Sequence, residues 1–194
     1  MDEIKSALEK ALEKVDKLGK LSPQEMRESK EKEYIPVGRA LADRYLEHGY
    51  IKLLEEDTSR YGGEEKEIVR KAALTRLVEA IDLGKYEASE RAMEGIAALA
   101  GENLVGEMKQ QIKDILMEYE GAEEAAYQEQ KAEVERREMG LLHQLRISGS
   151  AVGTINLEAS DAWKELSKKL YSRFDQRLRQ LKEQALKQIL EGVA

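Results

Sequence analysis

The stretch Ile-Ser-Gly-Ser-Ala-Val-Gly-Thr-Ile-Asn-Leu, residues 147–157, is the longest uncharged run of the chain. Long, heavily charged segments with the apolar spacing of α-helices flank it on both sides. We therefore expect the chain to reverse direction at 147–157, in a connecting turn or a short β-hairpin. The flanking segments would then form a long antiparallel helical hairpin, similar to a coiled coil, over 102–194.

Both limbs of this predicted hairpin carry an apolar stripe. The upstream limb has a heptad-like series from Leu104 to Tyr119 and no helix-breaking residue except glycine as far as Arg146, which predicts a helix of roughly 65 Å. The downstream limb, from Asp161 to about Glu191, carries the only Trp and the only Phe of the chain. Its stripe consists of Trp163, Leu166, Leu170, Phe174, Leu178, Leu181, Ala185 and Ile189.

The two limbs differ in charge. Residues 118–138 hold eight glutamates against three basic residues, a net charge of −5, while the downstream limb has eight basic and five acidic residues, a net charge of +3. Folding at 147–157 would lay 118–138 opposite 166–186, with opposite charges facing each other. Surface ion pairs contribute only tenths of a kcal/mol each, so the apolar stripe would supply most of the stability. That stripe is thin in the acidic limb, which leaves room for a second chain.

The first hundred residues contain a series of shorter helical patterns. The pattern over 4–18 places its apolar residues on one narrow stripe that needs a partner. Ser22-Pro23-Gln24-Glu25 has the residues of a helix start, and the residue before Pro36 favours an extended backbone, which predicts a break at 34–36. We predict an all-α protein with a helical body of four to five helices over 1–101. The stripe of 4–18 consists of Ile4, Leu8, Ala11, Val15 and Leu18.

Composition limits the classes of function. The chain of 194 residues has no cysteine, which removes disulfides and thiolate chemistry and favours a cytoplasmic protein. It has no apolar segment of membrane-spanning length. The formal charge of −7 argues against broad affinity for nucleic acid or anionic lipid.

The sequence contains no recognisable catalytic or metal-binding motif. Neither His48 nor His143 has a glutamate three positions before it, as the dinuclear carboxylate sites of helical bundles require. The acidic cluster at 55–57 is typical of a solvated helix face. We therefore predict no catalytic residue, no metal and no cofactor.

The uncharged run is the first candidate for a partner-binding or ligand-binding site. It lacks the glycine spacing and the lysine of a phosphate-binding loop. A turn that exposes four apolar residues to water is unusual, so we expect the apolar residues of 147–157 to fold onto the body or to contact a second protein. The candidates are Ile147, Ser148, Gly149, Ser150, Val152, Gly153, Thr154 and Asn156.

A second candidate is the set of basic residues on the last helix. These residues could hold a phosphate backbone, but the chain lacks aromatic stacking positions and a basic overall charge, so we expect internal pairing with the acidic limb instead. The basic candidates are Lys168, Lys169, Arg173, Arg177 and Arg179.

Three functions remain as hypotheses. We favour a non-enzymatic protein of interaction or assembly that forms a homo-oligomer, most simply a dimer, or binds a protein partner. The first alternative is an adaptor for nucleic acid or another anionic partner that uses the basic helix. The second is an enzyme or small-ligand-binding protein with a pocket at 147–157, although no substrate is suggested by the sequence.

Overall fold

The computed structural model describes residues 22–145 and 157–192. This part of the chain is all-α, which confirms the predicted fold class, and it contains no strand. None of its helices combines the length and the apolar character that crossing a membrane requires. The helices are α1 Pro23–His48, α2 Ile51–Ser59, α3 Gly63–Ala80, α4 Tyr86–Ala100, α5 Glu102–Leu145 and α6 Asp161–Gly192, with a 3₁₀ turn at Leu157–Ala159 before α6.

Two of the predicted features lie outside the described residues. The stripe of 4–18 is one, and the turn or β-hairpin at 147–157 is the other, except for Leu157. Both stay predictions, as does the coiled-coil character of the second half.

The first helix begins as predicted but does not break where predicted. The Ser22 hydroxyl accepts a hydrogen bond from the Glu25 N–H (3.3 Å), and the Glu25 carboxylate accepts one from the Ser22 N–H (2.7 Å). The prediction of a break at 34–36 is wrong, because α1 continues through Pro36 to a left-handed Gly49. A proline inside a helix costs about 3 kcal/mol, and extended packing of α1 on α3 on both sides of Pro36 offsets that cost.

Helices α1 and α3 lie side by side and run in the same direction, because α2 carries the chain back between them. Lys30 pairs with Glu64 near their starts (2.7 Å), and Asp43 pairs with Arg76 towards their ends (2.7 Å). Gly38 lies at the contact: a methyl group added there would lie 2.7 Å from the Ala72 Cβ and closer still to a backbone carbonyl. The absence of a side chain at Gly38 therefore allows the close approach of the two helices.

One buried cluster contains residues from all six helices. Leu77 of α3, Ile96 of α4, Ile112 of α5 and Leu178 of α6 are among its members with almost no exposed surface. The buried cluster therefore extends across residue 101, where we predicted the division between a body and a hairpin. That division stays a prediction.

Three helices end against a basic side chain from another helix. The last carbonyl groups of a helix have no partner within the helix and carry partial negative charge, so a cation is favourable there. Arg91 donates to the Leu46 carbonyl at the end of α1 (2.6 Å), and Arg70 donates to the Leu99 carbonyl at the end of α4 (2.8 Å). Lys182 donates to the Glu79 and Ile81 carbonyls at the end of α3 (3.0 and 2.7 Å). Burial lowers the pKa of Lys182.

Helix α5 is the longest element and is continuous. Its 44 residues run through Gly121 and Gly140 without interruption, which corresponds to about 66 Å at the rise of an α-helix. This length agrees with the prediction of roughly 65 Å.

Two glycine substitutions test the contact between α1 and α3. We expect Gly38→Ala to lower the free energy of unfolding by about 1–3 kcal/mol, because the new methyl group overlaps α3. The control is Gly121→Ala in α5, where no atom lies within 4 Å of the added Cβ. Since alanine is the better helix former, this control should raise the free energy of unfolding by up to about 1 kcal/mol. Urea denaturation measures both, and stabilisation by both substitutions would contradict the close packing of α1 on α3.

Candidate functional site

Aromatic side chains determine how α5 and α6 pack. The Tyr127 and Trp163 rings meet edge to face with centroids 5.2 Å apart. Further along, Tyr119 makes edge contacts with Tyr171 (6.0 Å) and Phe174 (5.7 Å). Later residues of α5 therefore meet earlier residues of α6, so the two helices are antiparallel.

The aromatic contacts place the acidic segment differently from the prediction. Tyr127 lies opposite Trp163, near the start of α6, so the part of 118–138 after Tyr127 extends past that start instead of lying opposite 166–186. Among the described side chains, one ion pair joins 118–138 to α6, between Glu118 and Arg177 (2.8 Å). The predicted pairing of two charged faces is therefore wrong in register and extent. Ring packing and apolar burial are worth more than exposed ion pairs, and they determine the register.

The end of α5 extends beyond the start of α6 and carries an exposed methionine. Tyr119, 6% exposed, is the last residue of α5 that is buried among the side chains that the structure describes. Residues 128–145 continue for about 27 Å past the Tyr127–Trp163 contact. Met139 lies in this stretch and is 70% exposed, the largest exposed fraction among the exposed large apolar side chains of the described residues. The sequence adds Leu141, Leu142 and Leu145 to the same end.

The predicted tip residues cannot be placed on this geometry. Ile147, Ser148, Gly149, Ser150, Val152, Gly153, Thr154 and Asn156 all lie outside the described residues. Leu157, the last residue of the run, is buried at 3% exposure in the 3₁₀ turn before α6. Ser160 then caps α6 by accepting a hydrogen bond from the Trp163 N–H (3.2 Å).

The five basic candidates on α6 are all exposed, but they do not form one face. Lys169, Arg173 and Arg177 follow one another at successive turns along one edge of the helix. Lys168 and Arg179 lie on another edge, roughly 130° around the helix axis at 100° per residue. A single continuous surface for a phosphate backbone is therefore not assembled.

The arginines among these candidates have partners within the chain. Arg177 pairs with Glu118, Arg179 pairs with Asp175 one turn before it (2.7 Å), and the Arg173 guanidinium lies 5.0 Å from the centre of the Phe174 ring. Lys168 and Lys169 make no ion pair with a described residue. The predicted pairing with the acidic limb thus holds for Arg177 alone among the described contacts.

The histidines lie apart from each other and from any cluster of ligands. His48 is in the last turn of α1, half exposed, with its Nε2 3.7 Å from a carboxylate oxygen of Glu47. His143 is exposed near the end of α5. Within residues 22–145 and 157–192, no group of three or more His, Asp or Glu side chains is placed to hold a metal ion.

Surface depressions between pairs of described helices differ in their chemistry. The α1–α2 pocket of about 170 Å³ has apolar walls that include Leu41 and Leu53, and one wall is Tyr45. The Tyr45 hydroxyl donates to the Arg91 carbonyl (2.9 Å), and burial raises the pKa of Tyr45 to about 12, so this phenol stays neutral and serves the core. The α5–α6 groove of about 380 Å³ is lined mostly by polar side chains such as Gln111 and Gln184.

The third depression lies between α1 and α3 and has a volume of about 330 Å³. Ile35 is 41% exposed on its α1 wall, and Ile68 lies on its α3 wall. Sequence reasoning missed this groove, because it depends on the uninterrupted α1 and on the parallel packing of α1 and α3. The apolar residue Ile35 within a charged helix was the one available signal.

Comparison with known proteins identifies a family but no activity. Residues 55–191 match a family described as a family of unknown function (DUF6657). The match runs from within α2 to the last turn of α6 and leaves α1 outside. No curated protein and no solved structure matches the chain.

The contact between Tyr127 and Trp163 can be tested by fluorescence, because Trp163 is the only tryptophan. We expect Tyr127→Ala to shift the Trp163 emission to longer wavelength, since water reaches the indole when the ring is removed. We also expect it to lower the free energy of unfolding by at least about 1 kcal/mol. Tyr127→Phe should preserve both, and Tyr50→Ala, at an exposed tyrosine of another helix pair, should leave the emission unchanged. Unaltered emission from Tyr127→Ala would contradict the register of α5 on α6.

Proposed function

Because the chain belongs to this family of unknown function, we propose from its geometry alone that it is a non-enzymatic assembly protein that self-associates through the end of α5. The partner that we assign to 128–145 is a second copy of the chain. The proposal includes the cytoplasmic location that the cysteine-free sequence favours. The observation that carries it is the exposed Met139 at the end of α5, which extends beyond the start of α6.

The side chains at this end favour contact with another protein surface. Met139 is 70% exposed, and it lies on a stretch, residues 128–145, without a buried residue among the described side chains. Apolar residues that cluster on an exposed surface are typical of sites of protein association. Burying one methionine or leucine side chain contributes about 1.5–3 kcal/mol, so a few such residues suffice for a weak dimer.

The charge pattern of 128–145 is compatible with pairing between identical copies. The stretch has four glutamates against Lys131, Arg136 and Arg137, a net charge of −1. The net charge of −5 over 118–138 is thus concentrated before this stretch, where Glu118 meets Arg177. A two-fold, antiparallel contact of the ends of α5 would bring these mixed charges together and use the same patch on both copies.

The rest of the protein supports this role by holding α5 in place. Residues of α5 from Val105 to Tyr119 are anchored in the buried cluster, and Lys113 also pairs with Glu90 of α4 (3.4 Å). The function that follows is presentation: a packed body displays one helix end at a defined distance. Neither the adaptor nor the small-ligand alternative gains support from the arrangement of the described residues.

Light scattering and analytical ultracentrifugation over a wide concentration range test the proposal. We expect a dimer that dissociates on dilution. Met139→Glu should raise the dimer dissociation constant about ten-fold or more, because it places a charge in the apolar contact and forfeits the burial of one methionine. The matched control is Met117→Glu on the same helix, since Met117 is also exposed (56%) but lies beside the part of α5 that α6 covers.

Two results would overturn this proposal. The first is a monomer mass at every concentration of the unsubstituted chain. The second is a dimer that Met139→Glu and Met117→Glu weaken equally, which would move the contact away from the end of α5. Circular dichroism of both variants should match the unsubstituted chain, because both methionines are exposed in the single copy.

A further inference from the structure

The groove between α1 and α3 has the shape of a seat for a third helix. It is bounded by two helices that run in the same direction and follows α1 from Arg27 to Arg39, about 18 Å at the rise of an α-helix. Apolar surface lies along it, with Ile35 and Ile68 on opposite walls and Ala72 beside them. Charged residues form its rims: Arg27, Glu31, Arg39, Glu64, Glu67 and Lys71.

We infer that the amphipathic helix predicted over residues 4–18 packs in this groove, antiparallel to α1 and α3. The first reason is connectivity. Gly19 ends the predicted helix and Pro23 begins α1, so three residues and the capping Ser22 join the two. Helices joined by so short a connection are usually antiparallel neighbours. The groove begins one turn into α1, where such a neighbour would lie.

The second reason is the match of length and apolar pattern. Residues 4–18 span about 22 Å as a helix, close to the length of the groove. Their stripe is too narrow to be stable alone in water and needs an apolar surface along one side. With the connection at 19–22, antiparallel packing puts Leu8 at the level of Ile35.

The third reason is charge. Lys5 and Lys14 border the predicted stripe, one on each side. The same packing puts Lys14 at the level of Ser29, about 3 Å along the helix axis from Glu31 at the rise of an α-helix. The rim of α3 also carries Glu67, which is exposed and makes no ion pair with a described residue. The groove is thus filled by the chain itself, and it is separate from the end of α5 to which we assign self-association.

The cysteine-free sequence allows a direct test by disulfide cross-linking in the full chain. The test variant carries Leu8→Cys and Ile35→Cys, and the matched control carries Glu9→Cys and Ile35→Cys. Glu9 neighbours Leu8 but lies on the opposite side of the predicted helix from the stripe. Under mild oxidation, we expect the Leu8 pair to form a disulfide within one chain at least about ten-fold faster than the Glu9 pair, because only Leu8 would face Ile35.

Controls separate this inference from other outcomes and from the proposed function. Both pairs should oxidise at similar rates in urea, where no helix orients them. Both cysteine pairs are also introduced into the Met139→Glu chain. We expect the Leu8 pair to oxidise faster there too, because packing in the groove does not depend on self-association. Equal rates under native conditions would overturn the inference. A disulfide between two chains at low protein concentration would also overturn it and would assign the groove to the segment of a second copy.

Discussion

The edge-to-face ring contacts between α5 and α6 determine the register of these two helices. Since Tyr127 meets Trp163 at the start of α6, α5 continues for about 27 Å beyond that start. If the charges of 118–138 and 166–186 had set the register, the apolar end of α5 would have been covered by α6. Because ring packing is worth more than exposed ion pairs, the aromatic contacts prevail, and the end of α5 with the exposed Met139 extends past the start of α6.

A second constraint keeps the helices in place around this contact. The unpaired carbonyl groups at the ends of α1, α3 and α4 each receive a basic side chain from a different helix. Lys182 is notable because it reaches from α6 to the end of α3 and so connects the last helix to the first half of the chain. Such contacts restrain the position of one helix relative to the end of another.

Local features of the fold could be predicted from sequence, while features that depend on distant contacts could not. The capping residues Ser22 and Glu25 are short-range signals, and the structure agrees with them. The prediction of a break at Pro36 was wrong, because the packing of α1 on α3, with Gly38 at the contact, outweighs the local preference of proline for a helix end. The predicted basic face failed for a similar reason: Arg173 and Arg179 bind their own helix neighbours, and helical spacing divides the set between two edges. The groove beside Ile35 requires the same packing, and an apolar Ile35 in a charged helix does not by itself predict that packing.

Amide hydrogen exchange measured as a function of protein concentration tests the central claim most directly. If the end of α5 is the contact between copies, amides of 128–145 exchange more slowly as concentration rises, while the anchored residues 105–119 keep the same protection throughout. Protection of 128–145 that does not change with concentration, in a sample whose mass does change, would show that the copies meet elsewhere and would contradict the account.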